Sequence, residues 1–224
     1  MTFSLAARDP ATGGLGVVVS SSSPAVASRC AHVRTGVGAV TSQNVTNPAL
    51  GPVGLDALAT GADASEAVAA MVAADAFPEY RQLSVVSASG GAAAHSGSNT
   101  LGTHTSVTGD GAVVAGNLLA TESVAHAMMA GYTGSRAETF EQRLLDGYAV
   151  ALEAGGEEGP VRSVGLVVVE DVPWAVTDLR VDDADDPFGE LRRLWRLWAP
   201  QKAAYRVRGI DPRQAPSYGV PGDL

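Results

Sequence analysis

The chain has 224 residues, 46% hydrophobic, 17% charged and 5% aromatic, with 24 acidic against 15 basic side chains and a net charge of −9. That length buries a substantial core in one large domain or two small ones. An acidic chain without a Lys/Arg cluster lacks the electrostatic footprint for nucleic acid or an anionic membrane surface, so neither partner is expected.

Thr2–Ala7 is a short β-prone run closed by Arg8-Asp9-Pro10, and Leu15–Ser22 reads as the returning strand of a hairpin. Thr35–Ser42 is a third strand, glycine-rich enough to imply close backbone approach. Asn47-Pro48 and Gly51-Pro52 then punctuate the chain. Asp63-Ala64-Ser65-Glu66 has the form of a capping box ahead of a helix with an apolar stripe of Val68, Met71 and Val72. Gln82–Ala88, Gly91–His95 and Ala112–Ala115 read as a sheet meander. Thr121 is placed to cap a helix carrying Val124, Ala127, Met128 and Gly131. A longer helix from about Ala137 shows Phe140, Leu144, Tyr148 and Leu152 at helical spacing and stops at Gly155-Gly156. Val164–Glu170 and Trp174–Val181 are two more strands. The last helix, Phe188–Trp198, puts Phe188, Leu191, Leu194/Trp195 and Trp198 on one face and charges on the other.

This order predicts a layered α+β protein with a mostly antiparallel sheet or pair of sheets, in a single domain over residues 1–199. Residues 200–224, with prolines at 200, 212, 216 and 221, read as an extended arm or a frayed end. Charge is uneven: residues 1–55 hold only Arg8, Asp9, Arg29 and Arg34, residues 82–109 hold none, and residues 170–213 are densely charged. A buried, strand-rich half and a charged, helical, solvent-facing end follow. Lys202 is the only lysine.

Cys30 is the only cysteine, which excludes an intrachain disulfide and a cysteine-built zinc site. No secretory signal opens the chain, and residues 35–55, though uncharged, are too interrupted to span a membrane, so a cytoplasmic protein is expected. There is no phosphate-binding glycine loop, no HExxH and no GxSxG elbow. His32, His95, His104 and His126 lack metal-ligand spacing, and neither metal nor cofactor is expected. Cys30 and His32, two apart, share a face only on a strand. Thr2 has a specific chemical meaning if Met1 is removed, as its small size favours. Its free α-amine, with a pKa near 8, then accepts the proton of its own hydroxyl, so one residue supplies nucleophile and base.

The segments Thr2–Pro10, Gly14–Ser21, Gly36–Asn47, Gly51–Leu58, Gly116–Leu119 and Leu179–Leu194 together resemble the DUF1028 family, itself similar to N-terminal-nucleophile (Ntn) hydrolases. The resemblance spans about residues 2–195. It implies a four-layer αββα sandwich of two antiparallel sheets between helices, and hydrolysis of an amide-type C–N bond in a small molecule. Thr2 would be the nucleophile, with Asn117, Asn44 and backbone N–H groups near Ser20–Ser23 as oxyanion donors. Arg8, Arg29, Ser21 and His32 are candidates for substrate binding, and Arg34 and Arg162 are further candidates for a substrate carboxylate. The lysine that proteasome-like relatives place near the nucleophile has no counterpart, because Lys202 lies outside the matched segments. Ala184 stands where the family pattern has histidine, and Arg162 where it has glutamine. These departures suit the alternative of a non-catalytic ligand-binding or structural subunit. A homo-oligomer, or a hetero-oligomer with a paralogue, is expected, with Trp195 and Trp198 either closing the core or anchoring an interface.

Overall fold

The computed structural model describes residues 1–219. The chain runs β1 (Thr2–Arg8), β2 (Leu15–Ser21), α1 (Ala27–Cys30), β3 (Ala31–Arg34), β4 (Gly38–Asn44), α2 (Leu50–Ala59), α3 (Ala64–Ala74), β5 (Arg81–Ser87), β6 (Ala92–Ser96), β7 (Thr105–Gly109) and β8 (Ala112–Asn117). It continues through α4 (Ser123–Gly134), α5 (Phe140–Glu153), β9 (Ser163–Val169), β10 (Ala175–Val181), α6 (Pro187–Trp198) and α7 (Lys202–Ile210).

The strands make a six-stranded sheet, β10-β9-β2-β1-β8-β7, and a four-stranded sheet, β3-β4-β5-β6, antiparallel throughout. Alternation along each strand divides the apolar residues among three layers. Phe3, Leu5, Val18, Val114 and Leu166 join α4, α5 and α6 on the outer face of the larger sheet. Val40, Leu83 and Val85 join Leu55, Leu58 and Met71 of α2 and α3 on the outer face of the smaller one. Ala6, Val17, Val19, Ala39, Val86 and Val113 fill the space between the sheets. Helices, sheet, sheet, helices is the order of layers that the family resemblance implies.

Several expectations are corrected. The segment over residues 82–115 is not one meander: β5 and β6 lie in the smaller sheet and β7 and β8 in the larger, so the chain crosses between sheets over residues 97–104. The third strand begins at Gly38 rather than Thr35. Residues 35–37 turn back from β3, with Gly36 at φ +68°. Gly38 bears out the close approach, since a Cβ there would meet the Val86 carbonyl at 2.8 Å and Leu58 at 2.3 Å. Gly51-Pro52 does not break the chain. Pro52 sits in the first turn of α2, where a missing N–H leaves no helical bond unmade. Thr121 does not cap α4, which starts at Ser123; its hydroxyl meets Ser123 Oγ instead. Asp63 and Glu66 do form the capping box of α3.

The expected arm is helical over residues 202–210, while its last proline, Pro221, lies outside the described residues. What docks α7 is the single lysine. Lys202 Nζ donates to Glu141 Oε1 at 2.7 Å and also bonds Glu170, and Glu141, 1% exposed, takes a further bond from Thr177. Arg206 pairs with Asp171, and Tyr205 packs on Trp198. Trp195 and Trp198 bond Gln142 and Val176 of their own chain, so both close the core. No helix among the described residues is long and apolar enough to cross a membrane.

Burial alone would lower the Lys202 pKa, but the bonds to Glu141 and Glu170 outweigh it and hold it raised. Its stabilising contribution is therefore complete below the unfolded-state value and lost as pH rises through the folded one. Lys202→Met strands Glu141 in the core. It should lower the unfolding free energy by about 2–4 kcal/mol in urea titrations at neutral pH, with the difference from wild type shrinking above about pH 10.5.

Candidate active site

Thr2 opens β1, which lies between β2 and β8 in the middle of the larger sheet. Phe3, Leu5 and Ala7 point to the helices, so Thr2, Ser4 and Ala6 point to the opposite sheet. Register sets Ser21 beside Thr2 on β2, Asn117 beside it on β8, and Ser163 beside Ser21 on β9. A buried row of small polar side chains, Ser163-Ser21-Thr2-Asn117, thus crosses one end of the sheet, and Thr2 is only 6% exposed.

Gln43 of β4 and Gln82 of β5 face this row from the smaller sheet as a register pair. Gln43 Nε2 donates to Gln82 Oε1 at 2.8 Å, and Gln43 Oε1 accepts from the Ser4 hydroxyl at 2.7 Å. Gln82 Nε2 donates to the Gly116 carbonyl at 3.0 Å, and Asn117 Nδ2 donates to Gln82 Oε1 at 3.1 Å. The two glutamines therefore fix the Asn117 amide and tie the sheets together where apolar packing gives out. Asn117 Oδ1, fully buried, keeps no partner.

At Thr2 itself, Oγ1 lies 2.6 Å from the Met1 carbonyl oxygen and 3.2 Å from Ser21 Oγ. Ser21 Oγ donates to the same carbonyl at 2.5 Å and accepts the Ser23 N–H at 3.1 Å. A carbonyl oxygen next to the Thr2 hydroxyl is thus already held by a hydroxyl donor. Backbone strain gathers here too. The non-glycine residues with positive φ among the described residues are Asn44 (76°), which closes β4, Leu118 (51°), which follows β8, and Ala25 (54°), in the segment after β2.

On the other face of β2 lies a second polar group. Glu157, in the loop between α5 and β9, is 6% exposed, and its Oε2 accepts the Ser22 N–H at 3.1 Å. Its Oε1 is buried without a hydrogen-bond partner, and the Tyr148 hydroxyl and Ser20 Oγ are buried close to one another. Burial pushes the Glu157 carboxyl up to about 7, against the downward pull of the amino terminus and of the Ser22 N–H.

Of the residues singled out from the sequence, Thr2, Ser21 and Asn117 come together. Asn44 lies one residue past Gln43, but its amide is committed to the loops, donating to the Tyr80 carbonyl at 2.7 Å and accepting the Leu101 N–H at 3.2 Å. Arg29, in α1, bonds the Pro24 carbonyl in the segment that leads away from Ser21. His32 points to the opposite face of the smaller sheet, packed against Gly51, and burial holds its pKa down. Arg8 ends β1, roughly 20 Å from Thr2 at strand rise. Arg34 pairs with Asp56 at 2.8 Å, and Arg162 pairs with Asp183 and Asp185. Buried Cys30 meets Thr46 rather than His32, whose ring nitrogen meets the Arg29 carbonyl. Gln82 and Glu157 were not anticipated. Gln82 follows from strand alternation once β4 and β5 are paired, whereas Glu157 gives no signal along the chain.

Because the folded state raises the Glu157 pKa, ionising it opposes folding. The cost is absent below about pH 4.5 and complete above about pH 7. Glu157→Gln should therefore stabilise the fold at pH 8 by up to about 3 kcal/mol, and by much less at pH 4, in paired urea titrations. Equal stability at both pH values would refute a destabilising charge at this position.

Over residues 2–191 the chain matches the family described as a family of unknown function (DUF1028). The crystal structure of protein SPO2555 from Silicibacter pomeroyi, of the same family, is similar at 30% identity and a TM-score of 0.84, covering 91% of this chain and 89% of that one. The Anbu (ancestral beta-subunit) structure from Yersinia bercovieri is similar at 12% identity and a TM-score of 0.42, covering 91% of this chain and 97% of that one. No curated protein matches the chain. The match along nearly the whole sequence and the shared structure place this chain in the DUF1028 family.

Proposed function

We propose that the protein is an amidohydrolase of the N-terminal-nucleophile type, cleaving a C–N bond of a small amide with Thr2 as nucleophile after Met1 is removed. The observation that carries this reading is the buried Thr2 hydroxyl at the head of a central strand, in contact with both the Ser21 hydroxyl and a peptide carbonyl. Removal of Met1 leaves an amine on the carbon adjacent to the one that bears the hydroxyl. The amine lone pair takes the Oγ1 proton as Oγ1 attacks the substrate carbonyl carbon. The C–N bond then breaks, the leaving nitrogen takes that proton, and water hydrolyses the Thr2 ester.

The negative oxygen that forms in this attack needs fixed donors. Ser21 suits the role, because accepting the Ser23 N–H leaves its own hydrogen free to donate. Asn117 Nδ2 gives one hydrogen to Gln82 and retains the other. The uncharged lining favours recognition by hydrogen bonds. Among the cations singled out from the sequence, Arg29 is the one whose segment leads from Ser21, and it suits a substrate carboxylate. No lysine serves the site, since Lys202 is held by Glu141 and Glu170. Assembly as a homo-oligomer, or with a paralogue, belongs to the same reading. Exposed Val45, Tyr80 and Leu101 at the Asn44 clamp support it by offering apolar surface beside the site.

Intact-mass measurement should find the chain lighter by one methionine, with Thr2 at its terminus. A β-lactone probe should acylate Thr2 with no mass lost, and Thr2→Ala should abolish that adduct, a loss of at least about 100-fold. Retention of Met1 together with identical labelling of Thr2→Ala would sink the mechanism and leave the non-catalytic subunit.

A further inference from the structure

Thr2 faces Ser21 across the ladder, so Met1 extends the strand opposite Ser22, and its side chain rests against Gly159. Glu157 closes over the same place. One carboxylate oxygen takes the Ser22 N–H, and the other is buried and has no hydrogen-bond partner. The groups that face Glu157 can be named element by element. Tyr148 comes from α5, and Asp185 and Asp186 from the segment before α6, all lining the same 270 Å³ cavity. Asp186 is committed to capping α6 and Asp185 to Arg162, and no lysine or arginine lines that cavity. The cation that acts on Glu157 is the amino terminus itself. With Met1 in place the two make no ion pair, so the buried carboxylate keeps one oxygen free for a cation that comes closer.

We propose that Glu157 is the positioning residue of the chain's amino terminus. Its free Oε1 accepts a hydrogen bond from the α-ammonium and keeps it turned toward the Thr2 hydroxyl. This deepens the Thr2 reading and rests on it. In the processed chain the pair shares one proton, either as ammonium and carboxylate or as amine and carboxylic acid. The second form is the one able to accept the hydroxyl proton. Passing the ammonium proton to Oε1 produces it, with no other group required.

The test needs no substrate. The chain has a single lysine, so acetic anhydride reports on two amines, the amino terminus and Lys202, which peptide mass spectrometry separates. The full chain would be labelled at a series of pH values from about 5 to 10. Glu157→Gln keeps an oxygen for the Ser22 N–H but removes the charge. It should raise terminal acetylation at pH 7 by about 5–10-fold, with the Lys202 rate unchanged. Equal terminal rates in the two proteins would overturn the proposal. Should that variant not fold, Glu157→Asp, which keeps the charge but draws it back from the terminus, takes its place with the same two outcomes. The same peptide reports whether the chain begins at Met1 or Thr2. Retained Met1 defeats the nucleophile reading alone, and the rate ratio then decides the role of Glu157 on the Met1 amine.

Discussion

β1 is buried on both of its faces, and the rest of the molecule is arranged around that constraint. A strand in such a position must find apolar partners on each side along most of its length. Phe3, Leu5 and Ala7 meet the helices α4 and α5, while Ala6 meets the valines between the sheets. At the Thr2 end the same alternation delivers hydroxyls and amides into the space between the sheets. There Ser4, Gln43, Gln82 and Asn117 bond one another, and Thr41 bonds Ser84 at 2.6 Å. Buried polar groups cost free energy unless paired, so this end holds together only as a network.

The network is incomplete, and its gaps lie around the amino terminus. Asn117 Oδ1 and Glu157 Oε1 lack partners, and the left-handed residues Asn44 and Leu118 stand at the adjoining strand ends. Unsatisfied polar atoms and strained backbone in one place oppose stability, which is the usual mark of a region shaped for chemistry. The opposite end of β1 is held by an ion pair instead, between Asp9 and Arg143. Asp9 is held low, its burial more than offset by bonds from Thr12, the Ala11 N–H and Arg143.

The charged final quarter has a mechanical role. Lys202 bridges Glu141 and Glu170, Arg206 holds Asp171, and Arg162 holds Asp183 and Asp185. These pairs fasten α7 and the segment before α6 onto the outer layer of the larger sheet. Lys202, the one lysine of the chain, sits there as a latch between Glu141 and Glu170.

The sequence by itself determined the β1–β2 hairpin, the capping box at Asp63 and the amphipathic faces of α5 and α6, because each rests on local periodicity or on local turn and cap chemistry. Register was the first thing out of its reach. Only pairing sets Ser21 and Asn117 on either side of Thr2, sends Arg8 to the far end of the strand and turns His32 to the outer face. Tertiary contact also overrode a local signal, folding residues 202–210 into a helix that Lys202 fastens. Glu157, lying between two glycines and a glutamate in a loop, has no pattern to betray it. Its meaning arises only because the fold buries its carboxylate against the strand that carries the amino terminus, where desolvation and a single cation act on it together.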